Sequence, residues 1–157
     1  MSAATTACRK CDSGMHVESL SGITGKEGDV TVAFSKLPAM ACTRGHRQFV
    51  SREFPARLLE QLSRSIQLPA AKAKGLFVKR HYCGQCGEAL ATDTGAQRTF
   101  GYDVNLGGVE PFRVEITVPV YACPSCKREQ VRSLDEISRQ TPAAMARAFQ
   151  NAEIPPG

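Results

Sequence analysis

Three Cys-x-x-Cys pairs punctuate the chain, at Cys8/Cys11, Cys83/Cys86 and Cys123/Cys126, and a seventh cysteine, Cys42, has no partner three residues on. An odd set arranged mostly as such pairs is a poor disulfide framework and a good inventory of metal ligands. Structural Zn²⁺ takes four ligands tetrahedrally, commonly from two short loops that each contribute a pair. Cys83, Cys86, Cys123 and Cys126 meet that requirement as an all-cysteine set. A redox dithiol would instead want a single pair on a helix N-terminus, with no second knuckle opposite.

Cys8 and Cys11 need two more donors. Cys42 supplies one, and His46, four residues on in CTRGH, is the nearby side chain able to complete a set of three cysteines and one histidine. Imidazole Nε2 lies farther from its Cα than a thiolate sulfur does. One extra residue, with Gly45 relaxing the turn, therefore still brings that nitrogen to the metal. His16 and water compete for the fourth position, and His16 reads as solvent-exposed. His81, two residues before Cys83, reads as an outer hydrogen-bond donor or a solvated residue and is not assigned as a ligand.

The elements that must position these ligands occur twice. PAMAC (38–42) aligns with PVYAC (119–123), and each follows an alternating strand: Val30, Val32 and Phe34 in the first, Phe112, Val114, Ile116 and Val118 in the second. CRKC matches CGQC upstream, and FPARLLEQL resembles TPAAMARAF downstream, each a helical pattern opened by proline. Thr141 is the expected N-cap of the second helix, while Leu58, Leu59, Leu62 and Ile66 form the buried stripe of the first. SLDEISRQ, with a capping box at Ser133 and Glu136, predicts a separate short amphipathic turn. Gly22, Gly25, Gly28, Gly101, Gly107 and Gly108 read as hairpin turns.

The predicted fold is small, α+β and zinc-stabilised, with two tandem zinc ribbons, each an antiparallel hairpin plus knuckle followed by a short helix. The first ribbon covers 1–68, a basic connector 69–80, and the second ribbon 81–157. Modules of this size bury little core, so metal cross-links are a sensible addition.

At 157 residues and 42% hydrophobic content, the chain carries a formal charge of +5. Seven thiolates and two Zn²⁺ lower that to +2, so overall basicity argues weakly for nucleic acid. Local charge argues better: from Arg57 to Arg80 the chain sets Arg57, Arg64, Lys72, Lys74, Lys79 and Arg80 against Glu60 alone. MSAATTACRK lacks the apolar centre of a leader, and no apolar run approaches the roughly 20 residues that span a bilayer. The expectation is a cytoplasmic protein with no membrane partner.

CRKC (8–11), LPAMAC (37–42) and FPARLLEQL (54–62) together resemble the YgiT-type zinc finger, the zinc-binding half of MqsA-like antitoxins. The resemblance covers about 60 residues of the first half. It implies a structural zinc and a contribution to contacting a partner toxin, in a bacterial-type protein. CTRGH departs from the family's second CxxC, and the C-terminal half is another ribbon without a helix-turn-helix pattern. Operator binding in the antitoxin manner is therefore not implied.

Closed thiolate-rich sites are poor Lewis acids, and no catalytic motif stands out, so an enzyme is not expected. A protein-binding adaptor or regulatory module, with self-association possible, is the leading reading. The alternative is contact with nucleic-acid backbone through Arg9, Lys10, Arg44, Arg47, Lys72, Lys74, Lys79, Arg80, Lys127 and Arg128. Phe77 and Tyr82 are available for stacking, and Phe77 reads equally as a core residue of the second ribbon.

Overall fold

Alternating apolar residues build the central sheet, as their period of two requires. Val30, Val32 and Phe34 are buried in β3 (Val30–Ser35), and Phe112, Val114, Ile116 and Val118 in β9 (Phe112–Ala122). Each strand forms a hairpin with the one before it, β3 with β2 (Ile23–Glu27) and β9 with β8 (Ala96–Val104). The computed structural model describes residues 7–90 and 95–156. Residues 1–6, part of the stretch read for a leader, and 91–94 and 157, in the second expected ribbon, lie outside the described residues.

The two hairpins join edge to edge, because β3 pairs antiparallel with β9. Ala33 faces Glu115 at the middle of this ladder, with Val32 opposite Ile116 and Phe34 opposite Val114 on either side. A shift of 82 positions, the separation of 33 and 115, returns the same set of pairs. The ladder thus has a local two-fold axis at Ala33–Glu115.

The first hairpin continues outward as β1 (Met15–Leu20) paired with β4 (Leu37–Cys42), and β5 (Arg47–Gln48) adds to β4. Lys36, at φ 60°, separates β3 from β4 and donates its N–H to Ser21 Oγ at 3.1 Å. Its counterpart β9 runs unbroken into its knuckle. Lys36 is one residue more than β9 carries between the alternating run and the Pro-x-x-Ala-Cys-like segment, and one extra residue reverses which side chains face the core. Past this break Leu37 and Ala39 join Phe34 in the same core.

Helix α1 (Phe54–Ser65) carries Pro55 in its first turn and buries Leu58 and Leu62, as predicted, while Ile66 is the C-cap just beyond it. Helix α2 (Leu134–Asn151) differs from expectation. Its N-cap is Ser133, which accepts from the Glu136 N–H at 3.3 Å, and SLDEISRQ and TPAAMARAF form one continuous helix with Pro142 inside. Thr141 is not a cap; its buried hydroxyl donates to Ile137 O at 2.6 Å. An interior proline costs about 3 kcal/mol. Burial of Ile137, Met145 and Phe149 against the core offsets it, at roughly 1.5–3 kcal/mol for each such side chain.

Each helix packs on the hairpin of the opposite half. Helix α2 crosses β2 and β3, tied by Asn151 Nδ2 to Thr24 O at 2.7 Å and by Arg147 to Glu27 at 2.7 Å, whereas α1 lies against β8. Phe34 stacks on Phe149 with ring centroids 5.4 Å apart, and Phe54 meets Phe112 at 5.8 Å. Residues of both expected ribbons therefore share one hydrophobic core. Gly25 and Gly101, expected in turns, lie inside β2 and β8 instead. A Cβ on Gly25 would sit 2.2 Å from both Ala144 O and Ala148 N, and one on Gly101 would collide with the Arg113 guanidinium.

The segment read as a connector folds as a two-stranded hairpin, β6 (Lys72–Lys74) with β7 (Arg80–Tyr82). A short strand, β10 (Glu129–Gln130), follows the last knuckle and pairs with the end of β9.

Gly25→Ala is expected to destabilise the fold by about 1–3 kcal/mol through overpacking against helix backbone. Gly107→Ala, with open space around the new Cβ, should stay within about 0.5 kcal/mol. Thermal or urea unfolding of the two variants checks this difference.

Candidate metal centres

The chain's seven cysteines and His46 gather into two groups of four, Cys8/Cys11/Cys42/His46 and Cys83/Cys86/Cys123/Cys126, with the donor atoms of each group within 4.8 Å of one another. Hairpin pairing explains the convergence. In the first group β1 and β4 start and end opposite each other, Met15 facing Cys42, so the CRKC knuckle before β1 meets the knuckle after β4.

Each CxxC knuckle closes on the same backbone bonds. Cys8 N–H donates to Ser13 O at 2.8 Å, Cys83 N–H to Glu88 O at 2.7 Å and Cys123 N–H to Arg128 O at 3.0 Å. The residue after the second cysteine, Asp12, Gly87 or Lys127, has positive φ and turns the chain back.

The fourth knuckle is built differently from the expectation. Cys42 N–H donates to His46 O at 3.0 Å, one residue sooner than in the other three, so the turn is tighter rather than relaxed. Gly45, at φ 84°, occupies the position where CxxC places its second ligand, and His46 follows it. The ring nitrogen 3.4 Å from Cys8 Sγ is Nδ1, not Nε2. Nδ1 sits close to its own Cα, as a cysteine sulfur does, so the tighter turn and nearer nitrogen compensate. His16 lies exposed on β1 opposite Ala41, away from the group.

Donor spacing tests the fit to a metal. With Zn–S bonds of about 2.3 Å, a tetrahedron has S···S edges of about 3.8 Å, and an S···N edge of about 3.5 Å. The structure places Cys11 Sγ 3.8 Å from Cys42 Sγ, Cys83 Sγ 3.6 Å from Cys126 Sγ and Cys86 Sγ 3.4 Å from Cys123 Sγ. Disulfide bonding needs about 2.05 Å, and all seven cysteines are free. Both groups therefore have the donors and the spacing to hold a metal ion.

Gln130 completes the second group and was not legible as a site residue. Its side chain is buried, donates from Nε2 to Cys83 Sγ at 3.2 Å and accepts the Gly84 N–H on Oε1 at 2.8 Å. The only signal in the sequence is a polar residue one step into a strand after a knuckle. That hydrogen bond pulls the Cys83 thiol down to about 5, chiefly because it stabilises the thiolate. Against the Glu88 backbone N–H, which lowers it, the Cys123 sulfur drives Cys86 up to about 12. In the first group the Ser13 hydroxyl, 3.3 Å away, brings Cys11 down to about 6, while burial pushes Cys8 up. In the second group the Cys126 backbone N–H also lowers Cys123; thiols held low in this way reduce the proton release that metal binding requires. His81 takes no part in this network; burial, then Arg132, hold it below its ordinary value.

Compared with known proteins, the chain matches no family model, no curated sequence and no solved structure. The resemblance of the first half to the YgiT-type finger rests on its motifs alone.

The basic residues divide. Arg47 is committed internally, with Nε and Nη2 on Glu18 at 3.1 Å and Nη1 on Ala152 O at 2.8 Å, so it is not a free phosphate contact. Lys127 clips its own knuckle, to Pro124 O at 3.1 Å, and Arg128 bridges to the opposite knuckle, to Gln85 Oε1 at 3.0 Å. Arg44, Lys72, Lys74, Lys79 and Arg80 are exposed.

Gln130→Leu should weaken metal at the second group about 10–100-fold and leave the first unchanged. Competition against a chromophoric chelator, which resolves two sites of unequal affinity, reads this directly.

Proposed function

We propose that both groups hold Zn²⁺ structurally and that the chain is a non-catalytic tandem zinc-ribbon module that binds a protein partner. The carrying observation is closure: each group converges four protein donors, three or four of them sulfur, at tetrahedral spacing. A zinc so enclosed has no position for substrate and is a poor Lewis acid. Its free energy of binding is then folding free energy.

Internal duplication is part of the same reading. The repeated order of knuckle, hairpin, knuckle, short strand and helix supports it.

An apolar groove of about 370 Å³ between α1 and α2 supports a protein partner; Leu59, Pro142, Ala146, Met145 and Phe149 line it. A second reading, nucleic-acid contact, is favoured by the cleft of about 550 Å³ beside the first group, where Arg9, Lys10 and Arg52 lie with no carboxylate side chain.

Purified protein should contain two zinc ions by elemental analysis, and Cys42→Ser one; two tightly held ions in that variant would sink the ligand assignment. Tagged protein recovered from its native host after nuclease treatment should retain a stoichiometric protein partner. Ala146→Arg, an exposed change within the groove, should release it. Partners that vanish with nuclease, alongside recovered RNA or DNA, would instead favour the second reading.

A further inference from the structure

The β6–β7 hairpin displays three consecutive large apolar residues to solvent. Leu76 is 96% exposed, Phe77 99% and Val78 75%. Of the other large apolar side chains among the described residues, only Val17 and Leu134 are exposed, and each stands alone. The exposure of Phe77 rules out the core position that the sequence allowed it.

The display is built rather than loose. Ala71 N–H bonds to Val131 O and Val131 N–H to Pro69 O, both at 2.9 Å, which fixes one strand of the hairpin at its root. The other strand leads directly into Cys83, in the second group of four. At the tip, Gly75 brings its Cα so near the Val78 carbonyl that a Cβ would lie 2.1 Å from that oxygen. This tight return pushes Leu76 and Phe77 outward.

Cations surround the tip. Lys74 faces Arg80 and Lys72 faces Tyr82 across the hairpin, Lys79 adjoins Val78, and Lys74 Nζ sits 5.4 Å from the Tyr82 ring centre. No Asp or Glu occurs between Glu60 and Glu88. Arg132 adds a further charge beside Val78, Lys79 and His81 in the adjoining cleft.

We infer that this hairpin is a membrane-docking finger that seats Leu76, Phe77 and Val78 in the interfacial layer of an anionic phospholipid bilayer while its lysines and arginines meet the headgroups. The receiver must be apolar and anionic within a few ångströms, and a bilayer carrying acidic lipid offers both. Nucleic acid would match the charge and Phe77 but offers Leu76 and Val78 no apolar site, since neither has a ring to stack on a base. This is attachment from one side: no helix among the described residues is long and apolar enough to cross a membrane. It departs from the expectation of no membrane partner, which rested on the lack of a spanning run, and it is independent of the groove between the helices.

The test uses the full zinc-loaded chain and vesicles of phosphatidylcholine with or without phosphatidylglycerol. Sedimentation should recover the protein with the anionic vesicles only, less at high salt. Leu76→Ser with Phe77→Ser should lower binding about tenfold or more, and Lys72→Gln or Lys74→Gln about fivefold each. The serine changes lie at the exposed tip, so zinc content and circular dichroism should not move. The chain has no tryptophan, so Phe77→Trp supplies a lone reporter whose emission should shift to the blue on anionic vesicles. No binding to anionic vesicles, equal binding to neutral ones, or binding that survives the serine pair would overturn the inference. So would capture of a single-stranded oligonucleotide by a chain that ignores vesicles.

Discussion

Strand β3 pairs with β9 over five residues of each, from Thr31–Thr117 to Ser35–Arg113, and this ladder turns two hairpins into one sheet. A lone two-stranded ribbon is marginal in water. Joined, they expose Val30, Val32, Phe34, Val114, Ile116 and Val118 as a common apolar surface. Helix α1 then covers the strand of the opposite hairpin and α2 does the same in return. Because each helix depends on the other half's strands, the two halves stabilise one another through a shared core.

The metal groups sit where that core is thinnest. Around Cys8 and Cys42 the buried company is little more than Met15 and Met40, and around Cys83 and Cys123 it is Leu90. Such small clusters bury little apolar surface, and a metal held by four donors would crosslink the knuckles. The two groups reach the same end by different local means. Three knuckles place a second cysteine before a residue of positive φ, while CTRGH places Gly45 first and lets His46 Nδ1 follow. Gln130 gives the second group a buried hydrogen-bond donor to Cys83.

The two sides of the axis at Ala33–Glu115 also differ in instructive ways. Lys36 adds one residue to the first side, so its hairpin breaks into β2–β3 and β1–β4 where β8–β9 runs straight. Pro142, which resembles the helix-opening Pro55, sits instead in the middle of α2. Local proline chemistry is alike at both sites. What differs is that Ser133 already caps a helix upstream, and the packing of Ile137, Met145 and Phe149 carries the helix through the proline.

Spacing alone pointed to the eight residues that gather into two groups, to the alternation of β3 and β9 and to Leu58 and Leu62 on the buried side of α1, because knuckle, strand and helix patterns are each set by residues close in the chain. Cys-x-x-Cys forms a knuckle, and alternating Val, Ile and Phe form a strand, wherever they are placed. Tertiary structure alone decided the rest. Gly25 could be known as a contact only once Ala144 and Ala148 lay across it, and Gln130 as a partner of Cys83 only once β10 ran beside that knuckle. Phe77 could as well have been a core residue until the fold left it and its neighbours Leu76 and Val78 no core to enter. Apolar character shows that a side chain gains by leaving water, but which surface receives it depends on every other element, and that information is not local.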